Sequence, residues 1–285
     1  MTILLEAGDA AAAIEPALGG RISSLVVAGG ERLVGPPADR QELIGTSWGL
    51  FPMAPWPGRL EHGRFAFRNE VYSVRRNHGR HSIHGVVFDA AWEVAAATAT
   101  TCALRCPLGP RWPLGGEAVQ RIEIDEEGIS LRLDVTAIEA PMPAACGWHP
   151  WFARPPQSDL EVCVRSTRVL VLDRDLIPTG EVREANEDED LTGCPALGDR
   201  RLDTVYANAA SPVTVRWPDL ELVMSLDHPL QTVVVFTPAG AACVEPQSAW
   251  PNFPALREAH PEAGGAGLEL GETLSLSVRM EWRLS

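Results

Sequence analysis

An all-β fold follows from three features of this 285-residue sequence. Short windows alternate apolar with polar residues, glycine and proline (25 and 24 residues) punctuate them, and hardly a window carries a helical period. Many short strands between tight turns argue for a sandwich of antiparallel sheets. Length admits one large all-β domain or two ordinary ones, and no fixed-period repeat divides the chain.

Up to Val27 the chain alternates weakly, and Gly19-Gly20 with Gly29-Gly30 suggests a hairpin-like start. Residues 36 to 59 include Pro36, Pro37, Trp48, Pro52, Pro55, Trp56, Pro57, Gly58 and Arg59, a composition that rules out a long helix. They read as a stiff loop packed by its own tryptophans, with Arg59 set apart as a fixed cation. Phe65 to Phe67, a turn at Asn69-Glu70 and Val71 to Val74 read as a hairpin. Further strands are expected at 120–124, 129–138, 160–164, 168–172, 213–217, 220–226, 232–236 and 274–282. In the last, Leu274, Leu276, Val278, Met280 and Trp282 share one face, as a period of two requires. The acidic run from Glu181 to Asp190 reads as a solvated excursion between strands, and 256–260 as a short helical window.

A formal charge of -14 and a pI of about 4.9 repel phosphate backbones and anionic membranes, so neither nucleic acid nor a membrane is an expected partner. No apolar run approaches a membrane span, and the start, Met1 to Glu6, lacks a basic leader, so a cytoplasmic protein is expected. All 24 basic residues are arginine. Without lysine there is no Schiff-base or pyridoxal chemistry and no P-loop lysine. The six cysteines (Cys102, Cys106, Cys146, Cys163, Cys194, Cys243) are scattered and read as buried free thiols.

Glu245 lies beyond the apolar run 232–236, in a stretch from Thr237 to Ala255 stiffened by Pro246, Pro251 and Pro254. A carboxylate between a buried strand and such a loop loses water, which raises its pKa toward that of a working base; a solvated loop glutamate is the other reading. His78, His81 and His84 follow an H-x2-H-x2-H spacing. On an extended chain His81 points away from the other two, which disfavours one shared metal ion and leaves hydrogen bonding to a polar ligand. His149 sits among Trp148, Trp151 and Phe152, where a satisfied core role is the ordinary expectation. That changes if Glu245 faces it across a pocket, since a carboxylate and an imidazole together supply a general base and a general acid.

These residues fall into five segments: Pro55-Trp-Pro-Gly-Arg59, His81-Ser-Ile-His84-Gly85, His149-Pro-Trp-Phe152, Leu202-Asp203-Thr-Val-Tyr206 and Val244-Glu245-Pro-Gln247 with Pro251. In kind and order they resemble the motifs of the aldose 1-epimerase (galactose mutarotase) family. Gly58 stands where that family usually has Asn, Trp151 where it has Tyr, and Val86 where a second Gly often follows. The resemblance implies a single domain over 1–285, a galactose-mutarotase-like supersandwich of large antiparallel sheets. It also implies a sugar site with Glu245 as base and His149 as acid. Arg59, His84 and Asp203 would hold the sugar, with Gln247 beside them and the indole of Trp250 or Trp56 stacking on the ring.

The implied reaction interconverts the α and β anomers of a free hexose by acid–base ring opening and reclosure, and it requires no cofactor or metal. Arg75, Arg76 and Arg80 motivate a rival, epimerisation of a hexose phosphate, although the net charge opposes it. A non-catalytic carbohydrate-binding protein of the same fold is the other alternative. The sequence leaves monomer and homodimer open.

Overall fold

The computed structural model describes residues 1–39, 43, 45–155, 159–226 and 232–285. Its strands build the expected all-β architecture. An 11-stranded sheet runs, in spatial order, through Ile3–Ala7, Ala10–Glu15, Arg21–Val27, Leu50–Met53, Gly147–Ala153, Ala241–Gln247, Thr232–Phe236, Asp203–Ala207, Arg168–Leu172 and Pro178–Glu184, with Gly30–Glu31 appended to Arg21–Val27. An 8-stranded sheet runs through Glu93–Ala97, Thr101–Pro107, Glu117–Ile124, Gly128–Thr136, Thr273–Leu284, Leu220–Leu226, Ala210–Arg216 and Glu161–Arg165. The neighbouring strands pair antiparallel throughout both sheets.

Period-two alternation decides which side chains meet between the sheets. Leu131, Leu133, Leu276 and Val278 from the smaller sheet share one core with Leu5, Ile14, Leu25, Val233, Val235 and Val244 from the larger. Each such side chain contributes roughly 1.5–3 kcal/mol by leaving water. One buried polar tie joins the sheets: Trp148 Nε1 donates to Gln120 Oε1 at 2.9 Å, and Gln120 Nε2 donates to the Gly20 carbonyl at 2.7 Å. Trp148 is thereby fixed on the core side of its strand, which turns its neighbour His149 to the opposite face.

Several expectations need correction. Glu245 lies inside the strand Ala241–Gln247, not in a loop, and 36–59 contains the strand Leu50–Met53. Both strands are buried at every position, so no polar face marks them in the sequence. Gly147–Ala153 and Asp203–Ala207 are also strands, and Glu181 to Glu184 of the acidic run belongs to Pro178–Glu184. The hairpin turn is centred on Arg68-Asn69, both left-handed (φ 49° and 65°), with Glu70 opening the next strand. The helical turn lies at Phe253–Leu256, sharing only Leu256 with the expected window 256–260. Cys163 and Cys194 form a disulfide, so they are not free thiols; Cys102, Cys106, Cys146 and Cys243 are free and buried as expected. No helix among the described residues is long and apolar enough to cross a membrane.

Candidate active site

Four neighbouring strands of the larger sheet send alternate residues to its outer face. Gly147 pairs with Gln247 and Trp151 with Cys243, which sets His149 opposite Glu245. Glu245 in turn pairs with Val234, and Val234 with Val205. Trp148, Phe152, Val233, Val235, Val244 and Tyr206 point to the main core, while His149, Trp151, Glu245, Gln247, Val234, Phe236, Asp203 and Val205 line a pocket of about 150 Å³.

The other wall comes from the segments around Arg59 and His84. Arg59 pairs with Ile83 in a two-strand ribbon, and the His84 amide donates to the Gly58 carbonyl at 2.9 Å. His84 and Gly85 both have left-handed backbone (φ 61° and 77°), which folds the chain so that the His84 imidazole meets His149 edge-on, centroids 5.0 Å apart. His78 and His84 line the pocket and His81 does not. The chain there is not extended: His78 and His81 close a tight turn by mutual backbone bonds, and His81 stacks on His62 at 5.2 Å.

At the centre, His149 Nε2 lies 3.2 Å from Glu245 Oε1, with 5% and 4% of the side chains exposed. Gln247 Nε2 donates to Glu245 Oε2 at 3.0 Å. Burial raises the Glu245 carboxyl well above its ordinary value, and the nearby Asp203 carboxylate pushes it further, against the Gln247 hydrogen bond and Arg59. Burial lowers His149 to about 3. Burial thus disfavours the charged form of both groups. His84 is lowered well below the imidazole range by burial and then by His149 and Arg59, so it is a neutral hydrogen-bonding group. Arg59 and Asp203 face each other at 3.7 Å on the pocket wall.

The His149 ring is held by stacking. Phe51 lies 4.8 Å away and Trp151 5.6 Å away, the latter nearly parallel at 6°. Beneath Phe51 the buried Arg21 guanidinium lies 5.2 Å from the ring, its protons given to the carbonyls of Leu18, Gly45, Trp48 and Phe88. This column leaves the ring little freedom except to present Nε2 to Glu245.

The family model for aldose 1-epimerases matches residues 1–281. The chain belongs to the aldose 1-epimerase family. Among solved structures it is similar to a galactose mutarotase-like protein from Clostridium acetobutylicum, at 17% identity and TM-score 0.89, covering 100% of this chain and 95% of that one. It is similar also to the aldose epimerase homologue from C. elegans (14%, TM-score 0.86, 100% and 99%) and to galactose 1-epimerase from Lactobacillus acidophilus (16%, TM-score 0.81, 100% and 94%). These likenesses establish the galactose-mutarotase-like fold. No curated protein matches the sequence.

Of the site residues named from the sequence of this aldose 1-epimerase family member, the structure gathers Glu245, His149, Arg59, His84, Asp203 and Gln247 around one pocket. It does not bring Trp250 there. That indole packs with Leu170, Val205, Val234 and Ala263 in a small core beside the site, and Trp56 packs tilted against Trp112, centroids 5.4 Å apart. The indole that lines the pocket is Trp151, two residues after His149 and so on the same strand face. Phe236, Leu172 and Leu176 were also missed. Strand parity would have found Phe236 from Glu245's partner Val234; the leucines carry no sequence signal.

Proposed function

We propose that the protein is an aldose 1-epimerase acting on a free, unphosphorylated aldose. The observation that carries this reading is the buried 3.2 Å contact of His149 with Glu245 at the pocket. In the form with His149 protonated and Glu245 ionised, Glu245 takes the proton of the anomeric hydroxyl while His149 protonates the ring oxygen, and the bond from ring oxygen to anomeric carbon breaks. Rotation about the bond next to the aldehyde carbon and reclosure with roles reversed give the other anomer. No unpaired charge accumulates at any stage. Arg59, Asp203, His84 and Gln247 bind the hydroxyls, and Val205, Val234 and Phe236 offer a floor for the apolar ring face.

Among the described residues the pocket has no cluster of arginines, which supports a free sugar. Arg75, Arg76 and Arg80 do not line the pocket, Arg80 is engaged by Asp175 at 3.0 Å, and the one arginine among the described lining residues, Arg59, faces Asp203. Polarimetry of freshly dissolved α-D-glucose, α-D-galactose and the corresponding 6-phosphates tests the proposal. Faster decay to equilibrium with the free sugars is expected. Acceleration only with the phosphates would transfer the reading to a hexose-phosphate epimerase, and none at all to a sugar-binding protein without turnover.

A further inference from the structure

One row of the larger sheet runs straight across the acid–base pair. Ile22 pairs with Leu50 and His149 with Phe51, so Arg21, Phe51, His149 and Glu245 stand side by side on the neighbouring strands Arg21–Val27, Leu50–Met53, Gly147–Ala153 and Ala241–Gln247. Their side chains follow one another in contact. The Arg21 guanidinium lies 5.2 Å from the Phe51 ring, Phe51 stacks on His149 at 4.8 Å, and His149 meets Glu245 at 3.2 Å. Arg21 is fully buried, and among the described residues no carboxylate bonds to it; its partners are the carbonyls of Leu18, Gly45, Trp48 and Phe88. Burial lowers it only to about 10, so it stays charged across the neutral range. A buried charge without a bonded counter-ion is costly, and neutral donors could serve those carbonyls. The charge points to a use beyond filling the core.

Across Phe51, that use falls on His149. After burial, Arg21 is the group that lowers the imidazole. The other charged groups nearby act elsewhere. His84 is neutral, Arg59 and Asp203 face each other on the pocket wall and act on Glu245, and Asp89, which opposes the lowering of Arg21, is engaged by Arg111 at 2.6 Å. We infer that Arg21 is a positioning residue which, through Phe51, holds the His149 ring in place and keeps it neutral at rest. A proton that reaches Nε2 during turnover is then given up to the ring oxygen instead of being retained. This rests on the epimerase reading above for what His149 does.

Nitrogen NMR of protein labelled in its histidines reads the protonation of His149 directly, the signal missing from His149→Asn identifying it. Arg21→Gln keeps donors for the carbonyls and removes the charge, and its His149 is expected to become imidazolium at a pH higher than in wild type by about one unit or more. Arg21→Lys keeps the charge and should stay within about 0.3 of wild type. A merely structural role would destabilise both variants without separating their His149 titrations. An unmoved His149 in Arg21→Gln, or equal upward shifts in both variants, overturns the inference. Phe51→Leu tests the link with Arg21 in place: kcat is expected to fall about tenfold with KM within about twofold, and an unchanged kcat overturns the inference even if Arg21→Gln does not fold. The titration needs no substrate, so absence of turnover by wild type would count against the epimerase reading alone.

Discussion

His149 and Glu245 are cross-strand partners, and their side chains touch because Gly147 pairs with Gln247 and Trp151 with Cys243. A one-residue slip of either strand would send its member of the pair into the core between the sheets. The proposed acid–base pair is thus a consequence of sheet register, not of a flexible loop.

Glu245→Gln preserves size and hydrogen-bonding capacity but removes the proposed base. Turnover is expected to fall at least about a hundredfold, with the melting temperature nearly unchanged. His149→Asn is expected to behave alike. Polarimetry on folded variants checks both, and near-normal turnover in either would remove that residue from the mechanism.

The pair also sets a pH signature. His149 takes a second proton only near 3, so kcat/KM should show no inflection near the ordinary imidazole value of 6.5. For stability the two groups act in opposite senses. His149, depressed when folded, contributes stability that is present above 6.5 and lost as pH falls toward 3. Glu245, raised when folded, contributes stability that is present below 4.5 and lost as pH rises through its elevated value. Thermal melts across pH should therefore show a shallower alkaline loss in Glu245→Gln and a shallower acid loss in His149→Asn. Parallel curves for wild type and variants would contradict these assignments.

Much of this site was legible because its residues carry chemistry in short segments, and strands such as Leu220–Leu226 and Thr232–Phe236 were legible from pattern. The strand of Glu245 was not, since a strand buried on both faces shows no alternation and Pro246 argues for a loop. Trp151 was hidden for a related reason: without knowing that 147–153 is a strand, its placement beside His149 cannot be inferred. The Arg21 column depends on contacts between distant segments that no local pattern encodes.

Asp203 opens its strand and faces Arg59 at 3.7 Å, outside contact with the reacting pair. Asp203→Asn should raise KM by about tenfold or more and lower kcat much less. Saturation kinetics decide this, and an unchanged KM would remove Asp203 from sugar binding. The lost repulsion should also let Glu245 ionise at lower pH, since Asp203 helps to raise it.

The Cys163–Cys194 bond ties the outermost strand of the smaller sheet to a connecting segment, across a separation of 31 residues. Closing a loop of that length stabilises by roughly 3–4 kcal/mol in the chain-entropy description. Urea unfolding with and without reductant should differ by that order, and Cys194→Ser should match the reduced protein. Coincident curves would mean that the cross-link adds nothing in solution.

Gly85 is where the wall carrying His84 meets the sheet. Its φ of 77° is left-handed, and a Cβ there would stand 1.9 Å from the Ala54 carbonyl oxygen, which accepts from the Val86 amide at 2.8 Å. Because backbone cannot swing aside as a side chain can, Gly85→Ala must separate the two segments and withdraw His84 from His149. A loss on the order of 3 kcal/mol is expected, with KM raised in whatever folds. Gly79→Ala supplies the control: φ is 57°, but nothing lies within 4 Å of the added carbon, so only the left-handed cost of roughly 1–2 kcal/mol applies. Equal losses for the two variants, measured by urea unfolding, would show that conformation alone and not close approach makes glycine necessary at 85.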